Sequence, residues 1–125
     1  MYVIPNEARE RSGLPGLAHM TLAGAEQGLS KLSVWRQSIA PGGATPPHRH
    51  DCEEVVLVHA GRGELHLEGD VLSFEGDTTL VVPQNALHQI VNTGDTPLET
   101  TGIFAMSPVE VYWPDGRPIE LPWKS

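Results

Sequence analysis

Short apolar runs, separated by turn residues about every ten positions, extend along the whole chain. This pattern is typical of an all-β sandwich or barrel. One segment favours helix instead: residues 6–12 predict a single turn with Asn6 as its cap, although the turn lacks an apolar face. We predict strands near 17–22, 29–40, 53–59, 64–68, 71–74, 79–82, 87–92, 98–105 and 109–113.

Two of the predicted strands differ in the way their side chains alternate. In 64–68, Leu65 and Leu67 share one face, and His66 lies on the other face with the two flanking glutamates. We expect that strand to place one face in the core and one in solvent. The run 55–58 is apolar on both faces. It therefore predicts a strand that is covered on both sides, in the middle of a closed or sandwiched sheet.

Length, charge and cysteine content narrow the class of protein. The 125 residues fit one domain, and no linker, repeat or change in composition divides them. Eight Lys and Arg against 16 Asp and Glu give a net charge of -8, which argues against nucleic acid or an anionic membrane surface as a partner. Cys52 has no partner for an intrachain disulfide, and residues 1–13 carry charges where a signal peptide would be apolar. We expect one soluble, cytoplasmic domain over 1–125.

The residue types that carry chemistry cluster after the Pro46-Pro47 pair. His48 and His50 lie two positions apart, and Glu54 follows four positions later. Residues of equal parity in an extended chain point to one face, so two imidazoles and a carboxylate share a face. This donor set suits a divalent transition metal such as Fe, Mn, Ni or Zn. His88 follows a strand and a tight turn, and it becomes a fourth ligand if folding brings it to the others.

The spacing of these residues resembles the first motif of the cupin family. The matching positions are Gly42, His48, His50, Glu54 and Gly61, separated in turn by five, one, three and six residues.

The second cupin motif is recognisable but altered. Pro83, His88 and Asn92 stand at the expected spacing. One extra residue lies between Gly76 and Pro83, and Asn85 replaces the usual glycine. Asparagine tolerates a left-handed turn better than most residues, so the turn that precedes His88 can survive. The resemblance covers about 41–104, with terminal segments on either side.

The resemblance implies a fold, a site and an assembly. The fold is a double-stranded β-helix, the jelly-roll barrel of small RmlC-like cupins, and these frequently form homodimers. The metal would lie inside, held by His48, His50, Glu54 and His88. The family includes oxygenases, isomerases, decarboxylases and lyases, so we favour a metal-dependent enzyme acting on a small organic molecule. The alternative is a non-catalytic module that binds or senses a small ligand, because few other ionisable residues share the parity of the pocket.

The remaining candidate residues receive simpler interpretations. Glu53 has the wrong parity for a ligand and is expected to face outward, whereas Cys52 has the ligands' parity and is interpreted as an inert small hydrophobe. Only one of Arg36 and Gln37 can face inward, and an inward Arg36 would pair with a substrate carboxylate. We interpret three histidines as ordinary surface or core residues: His19, His59 and His66. Four other side chains are interpreted as packing in the core or at the barrel mouth: Trp35, Phe74, Phe104 and Met106. Two tryptophans are interpreted as cover for an edge or a dimer surface: Trp113 and Trp123.

Overall fold

The computed structural model describes residues 2–125, so Met1 of the expected domain lies outside it. The all-β prediction is confirmed. Within the described residues no helix is long and apolar enough to cross a membrane. The 3₁₀ turns cover Asn6–Ala8 and Ala25–Gln27. The strands are β1 (Arg11–Leu14), β2 (Leu17–Ala23), β3 (Ser33–Ile39), β4 (Arg49–His50), β5 (Glu54–Ala60), β6 (Arg62–Leu67), β7 (Asp70–Glu75), β8 (Thr78–Val82), β9 (His88–Asn92), β10 (Leu98–Phe104) and β11 (Val111–Tyr112).

The strands form two layers. One layer is a six-stranded antiparallel sheet in the order β1-β2-β3-β10-β5-β8, so strands far apart in sequence lie side by side. The other layer is the sheet β7-β6-β9, and single bridges from Val91 to Ala44 and from His88 to His48 extend it. Through these bridges it reaches the β4-β11 pair. This two-layer arrangement is the jelly roll that the motifs imply.

The structure differs from the predicted elements near both ends of the chain. Pro5, not Asn6, precedes the first 3₁₀ turn, and no side chain caps it. Residues 11–14 form a strand instead of continuing the turn, because they pair with β2 from Arg11 to Leu14. This hairpin pairing, across the turn at Pro15 and Gly16, overrides a weak local helix preference. The strand predicted over 29–40 begins only at Ser33, and the one predicted over 109–113 shortens to β11.

The alternation within individual strands is largely as predicted. In β6, Leu65 is buried and His66 is only half-buried. In β5, Val56 and Val58 are buried, and the strand lies between β10 and β8. The expectation that β5 is covered on both faces is wrong for a single chain, because Val55 and Leu57 on the outer face remain half-buried.

Two apolar clusters fill the space between the layers, and partly buried Trp123 packs against both of them. The larger cluster consists of Leu17, Ile39, Val56, Val58, Leu65, Phe74, Leu80, Ile90 and Leu98. The smaller cluster consists of Trp35, Cys52, Phe104, Val109 and Val111.

Turns with left-handed backbone hold the two motifs in place. Gly61 has φ 95°, and a Cβ there would lie 2.9 Å from the carbonyl oxygen of Pro97, so only glycine fits. Asn85 has φ 64°, as expected of the residue that replaces the family glycine. Asp77 also has positive φ, 59°, in the loop that carries the extra residue of the second motif. Glu54 pairs with Val82 across β5 and β8, so that insertion does not displace the strand before His88.

Candidate metal centre

Folding brings His88 to the histidines of the first motif through backbone pairing. The amide of His48 donates to the carbonyl of His88 at 3.0 Å, and the amide of His88 donates to the carbonyl of His48 at 2.9 Å. The turn before His88 is held in the same way, since the amide of Asn85 donates to the carbonyl of His50 at 2.9 Å. The position of His88 therefore follows from the sheet itself and not from side-chain packing alone.

The side chains of this cluster converge on one buried point. One ring nitrogen from each of His48, His50 and His88 lies within 4.8 Å of the others. The Oε1 atom of Glu54 lies 3.2 Å from Nε2 of His50 and 3.3 Å from Nε2 of His88. His50 and His88 are almost fully buried, Glu54 is buried, and half-buried His48 lies on the cavity side. The three histidines can hold a metal ion.

Backbone carbonyls fix which nitrogen faces this point in two of the three rings, those of His48 and His88. Nδ1 of His48 lies 2.6 Å from the carbonyl oxygen of Pro46, and Nδ1 of His88 lies 2.8 Å from that of Ala86. A carbonyl only accepts, so each Nδ1 carries a hydrogen and Nε2 is the nitrogen that remains to bind a metal. A bond of this kind to the second nitrogen is the usual way in which a protein orients a metal-binding histidine.

The inward atoms lack hydrogen-bond partners. Among residues 2–125, neither Nε2 of His50, Nε2 of His88 nor Oε1 of Glu54 has an aligned partner, although all are buried. Burying unpaired polar atoms is costly. Nε2 of His88 lies 3.3 Å from Oε1 of Glu54, so a positive charge at this point, carried by a ring proton or by a metal ion, stabilises the pair. The cluster thus fits a metal ion chemically as well as geometrically.

The protonation of the cluster also suits metal binding. Burial and the neighbouring imidazoles of His88 and His50 lower the pKa of His48 to about 3. The hydrogen bond to Pro46 and the charge of Glu54 raise this pKa, but by less. Burial raises the pKa of Glu54, but its contacts with His50 and His88 outweigh this and leave the pKa at about 2. At neutral pH the cluster offers an uncharged imidazole and a carboxylate, which are the forms that bind metals.

A narrow apolar cavity adjoins the cluster. His48, Glu54 and His88 form its polar end. The cavity volume is about 50 Å³. Besides those three residues, its walls are formed by Leu14, Leu17, Trp35, Gln37, Thr45, Pro46, Ile90, Phe104, Val111, Leu121 and Trp123. The cavity thus joins a charged site to an aromatic wall.

The structure decides one open alternative about the cavity and corrects one prediction. Of Arg36 and Gln37, Gln37 faces inward and Arg36 is exposed, so Arg36 is not placed to pair with a carboxylate in the cavity. Trp123 does not cover an outer edge: it lies in the cavity wall, where its ring stacks on His19 at 3.8 Å. The last residues of the chain therefore complete the pocket, a long-range contact that no local pattern reveals.

The interpretations of Cys52 and Glu53 agree with the structure. Cys52 is buried in the smaller apolar cluster, and burial raises its pKa to about 11, so the thiol stays protonated and inert. Glu53 is exposed, as its parity predicts. Trp35 and Phe104 do belong to the core, but both also line the cavity.

The sequence left the inward position of Gln37 open and did not associate His19, which lies behind the cavity wall against Trp35 and Trp123, with the site. Gln37 shares the strand parity of Trp35, so the burial of a tryptophan in β3 was the signal that could have placed the glutamine inside. In the same way, His19 has the parity of buried Leu17 in β2. Both signals need the inward face of the strand to be known first.

Comparisons with known proteins agree with this architecture. A family model described as "Auxin binding protein" matches residues 3–120. Auxin-binding protein 1 of Arabidopsis thaliana is 37% identical over 114 residues, which cover 83% of this chain and 58% of that protein. The polyketide synthase CurC of Streptomyces cyaneus is 33% identical over 103 residues, which cover 81% of this chain and 63% of that protein. The chain spans about three fifths of the length of these relatives.

Solved structures confirm the jelly-roll prediction. A cupin-2 domain protein of Rhodospirillum rubrum superposes with a TM-score of 0.75 over 91% of this chain and 79% of that one, at 17% identity. At such low identity the likeness establishes the fold and nothing further. The resemblance to cupins that the motif spacing indicates is therefore confirmed at the level of the fold.

Proposed function

Because the chain belongs to the auxin-binding protein family, we propose that it binds a small aromatic carboxylate through a divalent metal ion inside its barrel. In this proposal His48, His50, Glu54 and His88 hold the metal. The metal supplies the positive charge that a ligand carboxylate needs in a buried site. Auxins are aromatic acids of this chemical class, and indole-3-acetate serves as the probe below.

The observation that carries the proposal is that an aromatic wall adjoins the metal cluster, by which we mean the four side chains of His48, His50, Glu54 and His88. Trp35, Phe104 and Trp123 line the cavity directly beside His88 and Glu54. A carboxylate at the cluster would leave its ring against these side chains, where offset or edge-to-face packing is favourable. Ligand pockets of this kind combine a mostly apolar lining with a few convergent polar groups.

The content of the cavity favours binding over catalysis. Its ionisable lining, as far as the structure describes it, consists of His48, Glu54 and His88, and all three belong to the metal cluster. No separate side chain is thus positioned as a general acid or base. The remaining polar lining is neutral: it consists of the side chains of Gln37 and Thr45 and the indole N–H groups of Trp35 and Trp123.

The cavity must widen to admit a ring. At about 50 Å³ it holds little more than a water molecule or two. Leu121 and Trp123 are wall residues from the C-terminal segment, which follows the last strand, β11. We infer that this segment moves outward when a ligand enters and packs on the ring afterwards.

Calorimetry on metal-loaded protein tests the proposal. Zinc-loaded protein is expected to bind indole-3-acetate and to reject indole-3-acetamide, which has the same ring but no charge for the metal. His50→Ala and Glu54→Ala should each lower zinc affinity by at least about 100-fold, beyond the effect usual for residues outside the ligand set. Both variants should lose indole-3-acetate binding together with the metal.

The matched control is His59→Ala, which removes an exposed histidine that is hydrogen-bonded to Thr101 on the outer face. It should leave zinc content and ligand binding unchanged. Equal binding of acid and amide, or undiminished binding after metal removal, would show that the metal does not hold the carboxylate. Elemental analysis of protein purified without added metal identifies the ion, expected among Fe, Mn, Ni and Zn.

A second candidate is a metal-dependent enzyme acting on a small organic molecule, as the motifs alone suggest. The similarity to the polyketide synthase CurC favours a polyketide as the substrate of such an enzyme. A polyketide would present enolisable carbonyls to the metal, which acts as a Lewis acid when bound. Turnover of an aromatic polyketide that disappears in His50→Ala would support the enzyme, and thermal stabilisation by ligand without turnover would support the binder.

A further inference from the structure

His19 lies behind the aromatic wall of the cavity, outside the metal cluster. It is 3% exposed, in strand β2. Its ring stacks on Trp123 with centroids 3.8 Å apart and planes 10° apart, and it meets Trp35 edge-on at 5.0 Å. A histidine in this place contacts two walls of the pocket at once.

The ring of His19 also belongs to a chain of hydrogen bonds whose direction is fixed at one end. The carbonyl oxygen of Lys124 only accepts, so the hydroxyl of Thr21 donates to it at 3.1 Å. The hydroxyl oxygen of Thr21 must then accept from Nε2 of His19, 2.8 Å away. Burial lowers the pKa of His19 to about 4, so the ring is neutral and carries one hydrogen.

This direction determines the orientation of Gln37. With the hydrogen of His19 on Nε2, its Nδ1 accepts, and Nε2 of Gln37 donates to it at 3.0 Å. The carboxamide nitrogen of Gln37 therefore faces His19. Its Oε1 atom and its second amide hydrogen remain for a ligand. A reversed carboxamide would place an oxygen against the acceptor Nδ1 and lose this bond.

Gln37 offers a ligand an acceptor as well as a donor, whereas the unpaired indole N–H groups of Trp35 and Trp123 in the same lining can only donate. Thr45, a further polar side chain in the described lining, accepts from the amide of Ile90 at 3.0 Å. The orientation of Gln37 thus sets whether a ligand meets an acceptor or a donor at this point of the cavity. Whatever orients Gln37 affects ligand choice.

We propose that His19 is a positioning residue, which holds the carboxamide of Gln37 in one orientation and so sets the hydrogen-bonding pattern that a ligand must match. This inference rests on the proposed function for its effect on ligand choice. The chain of donors from Gln37 through His19 and Thr21 to Lys124 carries it.

Two substitutions at His19 separate its ring from its acceptor. His19→Phe keeps a flat ring between Trp35 and Trp123 but removes the acceptor. His19→Asn removes the ring and keeps an acceptor near the place of Nδ1. In zinc-loaded protein, His19→Phe and Gln37→Leu should each weaken indole-3-acetate binding about tenfold, the scale of one hydrogen bond. His19→Asn should retain affinity within about threefold of the unaltered chain.

The double variant His19→Phe/Gln37→Leu decides between positioning and a general structural effect. If His19 acts through Gln37, the double variant binds no more weakly than either single variant. If the two losses multiply to about a hundredfold, His19 does not act through Gln37 and the inference is overturned. His59→Phe, on the outer face, is the control and should leave binding unchanged.

Nuclear magnetic resonance on the metal-free protein tests the same contact without any ligand. The nitrogen-15 shifts of the His19 ring should show the hydrogen on Nε2, and the Gln37 side-chain amide should be ordered in the unaltered chain but mobile in His19→Phe. Hydrogen on Nδ1, or an amide equally ordered in both proteins, overturns the inference. If the unaltered chain binds no indole-3-acetate while both signals are as expected, the proposed function fails and the positioning role stands.

Discussion

Buried, uncharged histidines determine how this protein responds to acid. The pKa of His48 is lowered to about 3 and that of His19 to about 4, mainly because burial disfavours the charged ring. In the unfolded chain both rings take up a proton near pH 6.5. Between about pH 6.5 and 4 the unfolded state therefore binds more protons than the folded state, and stability falls as the pH falls. Glu54, with its pKa lowered to about 2, adds to this loss only below about pH 4.5.

We expect the free energy of unfolding of the metal-free protein to decrease from pH 7 to pH 5. Well below pH 6.5 the slope should approach about 1.4 kcal/mol per pH unit for each of the two histidines. Urea denaturation at a series of pH values measures it. His19→Phe removes one of the two groups and should reduce the slope by about half. A flat profile, or an unchanged slope in His19→Phe, would contradict this account.

The residues of the metal cluster can be predicted from the sequence more readily than the residues that line the pocket. His48, His50 and Glu54 can be grouped because they are close in the chain and share a parity. His88 can be added through the spacing of its own motif. Gln37 and Trp123 could not be assigned in this way: one depends on which face of a strand turns inward, and the other on where a distant segment packs.

At the level of elements, the turn before β9 determines where His88 lies relative to the rest of the metal cluster. Asn85 adopts φ 64°, and its amide holds the carbonyl of His50. Asparagine is tolerated there, whereas a residue with a larger conformational penalty would strain the turn. Because β9 begins at His88, three residues later, strain in the turn acts directly on a metal-cluster residue.

Asn85→Ala should therefore lower the free energy of unfolding by about 1 kcal/mol, the cost of a left-handed residue with a Cβ. Asn85→Gly should be close to neutral, because glycine adopts this conformation without strain. Neighbouring Gln84→Ala, an exposed position, is the control and should change stability by less than about 0.5 kcal/mol. Urea denaturation compares the three, and equal stability of the Ala and Gly variants would show that backbone strain is not the cause.

Strand prediction succeeded where burial alternates and failed where pairing partners decide. β6 follows its own pattern of Leu65 and His66 closely. β1 has no such pattern and exists because Arg11 to Leu14 pair with β2. The residues of β1 alone do not supply that information, since the free energy of the pairing lies in contacts between the two strands. The Pro15-Gly16 turn that joins β1 to β2 was the signal that could have indicated the hairpin.

At the scale of the whole molecule, an apolar row crosses the outer face of the six-stranded sheet. The strand registers align Val34 with Ile103, Ile103 with Val55, and Val55 with Val81. Val81 is 65% exposed, and the other three are half-buried. Cross-strand neighbours of this kind form a continuous surface. We propose that a second copy of the chain covers this row, in the homodimer that the cupin resemblance implies.

The cytoplasmic location stays a prediction that cell fractionation can test.

A charge placed in the row should separate the copies. A two-fold dimer apposes the same patch on both chains, so Val81→Glu would introduce two like charges into one apolar interface. We expect the unaltered chain to sediment as a dimer and Val81→Glu as a monomer. Leu72→Glu is the matched control: Leu72 is 51% exposed, but it lies on β7 in the opposite sheet, and its variant should stay dimeric. Unchanged zinc content in both variants would show that the barrel is intact. If the unaltered chain is monomeric, or if both variants dissociate equally, the outer row is not the dimer interface and the proposal is wrong.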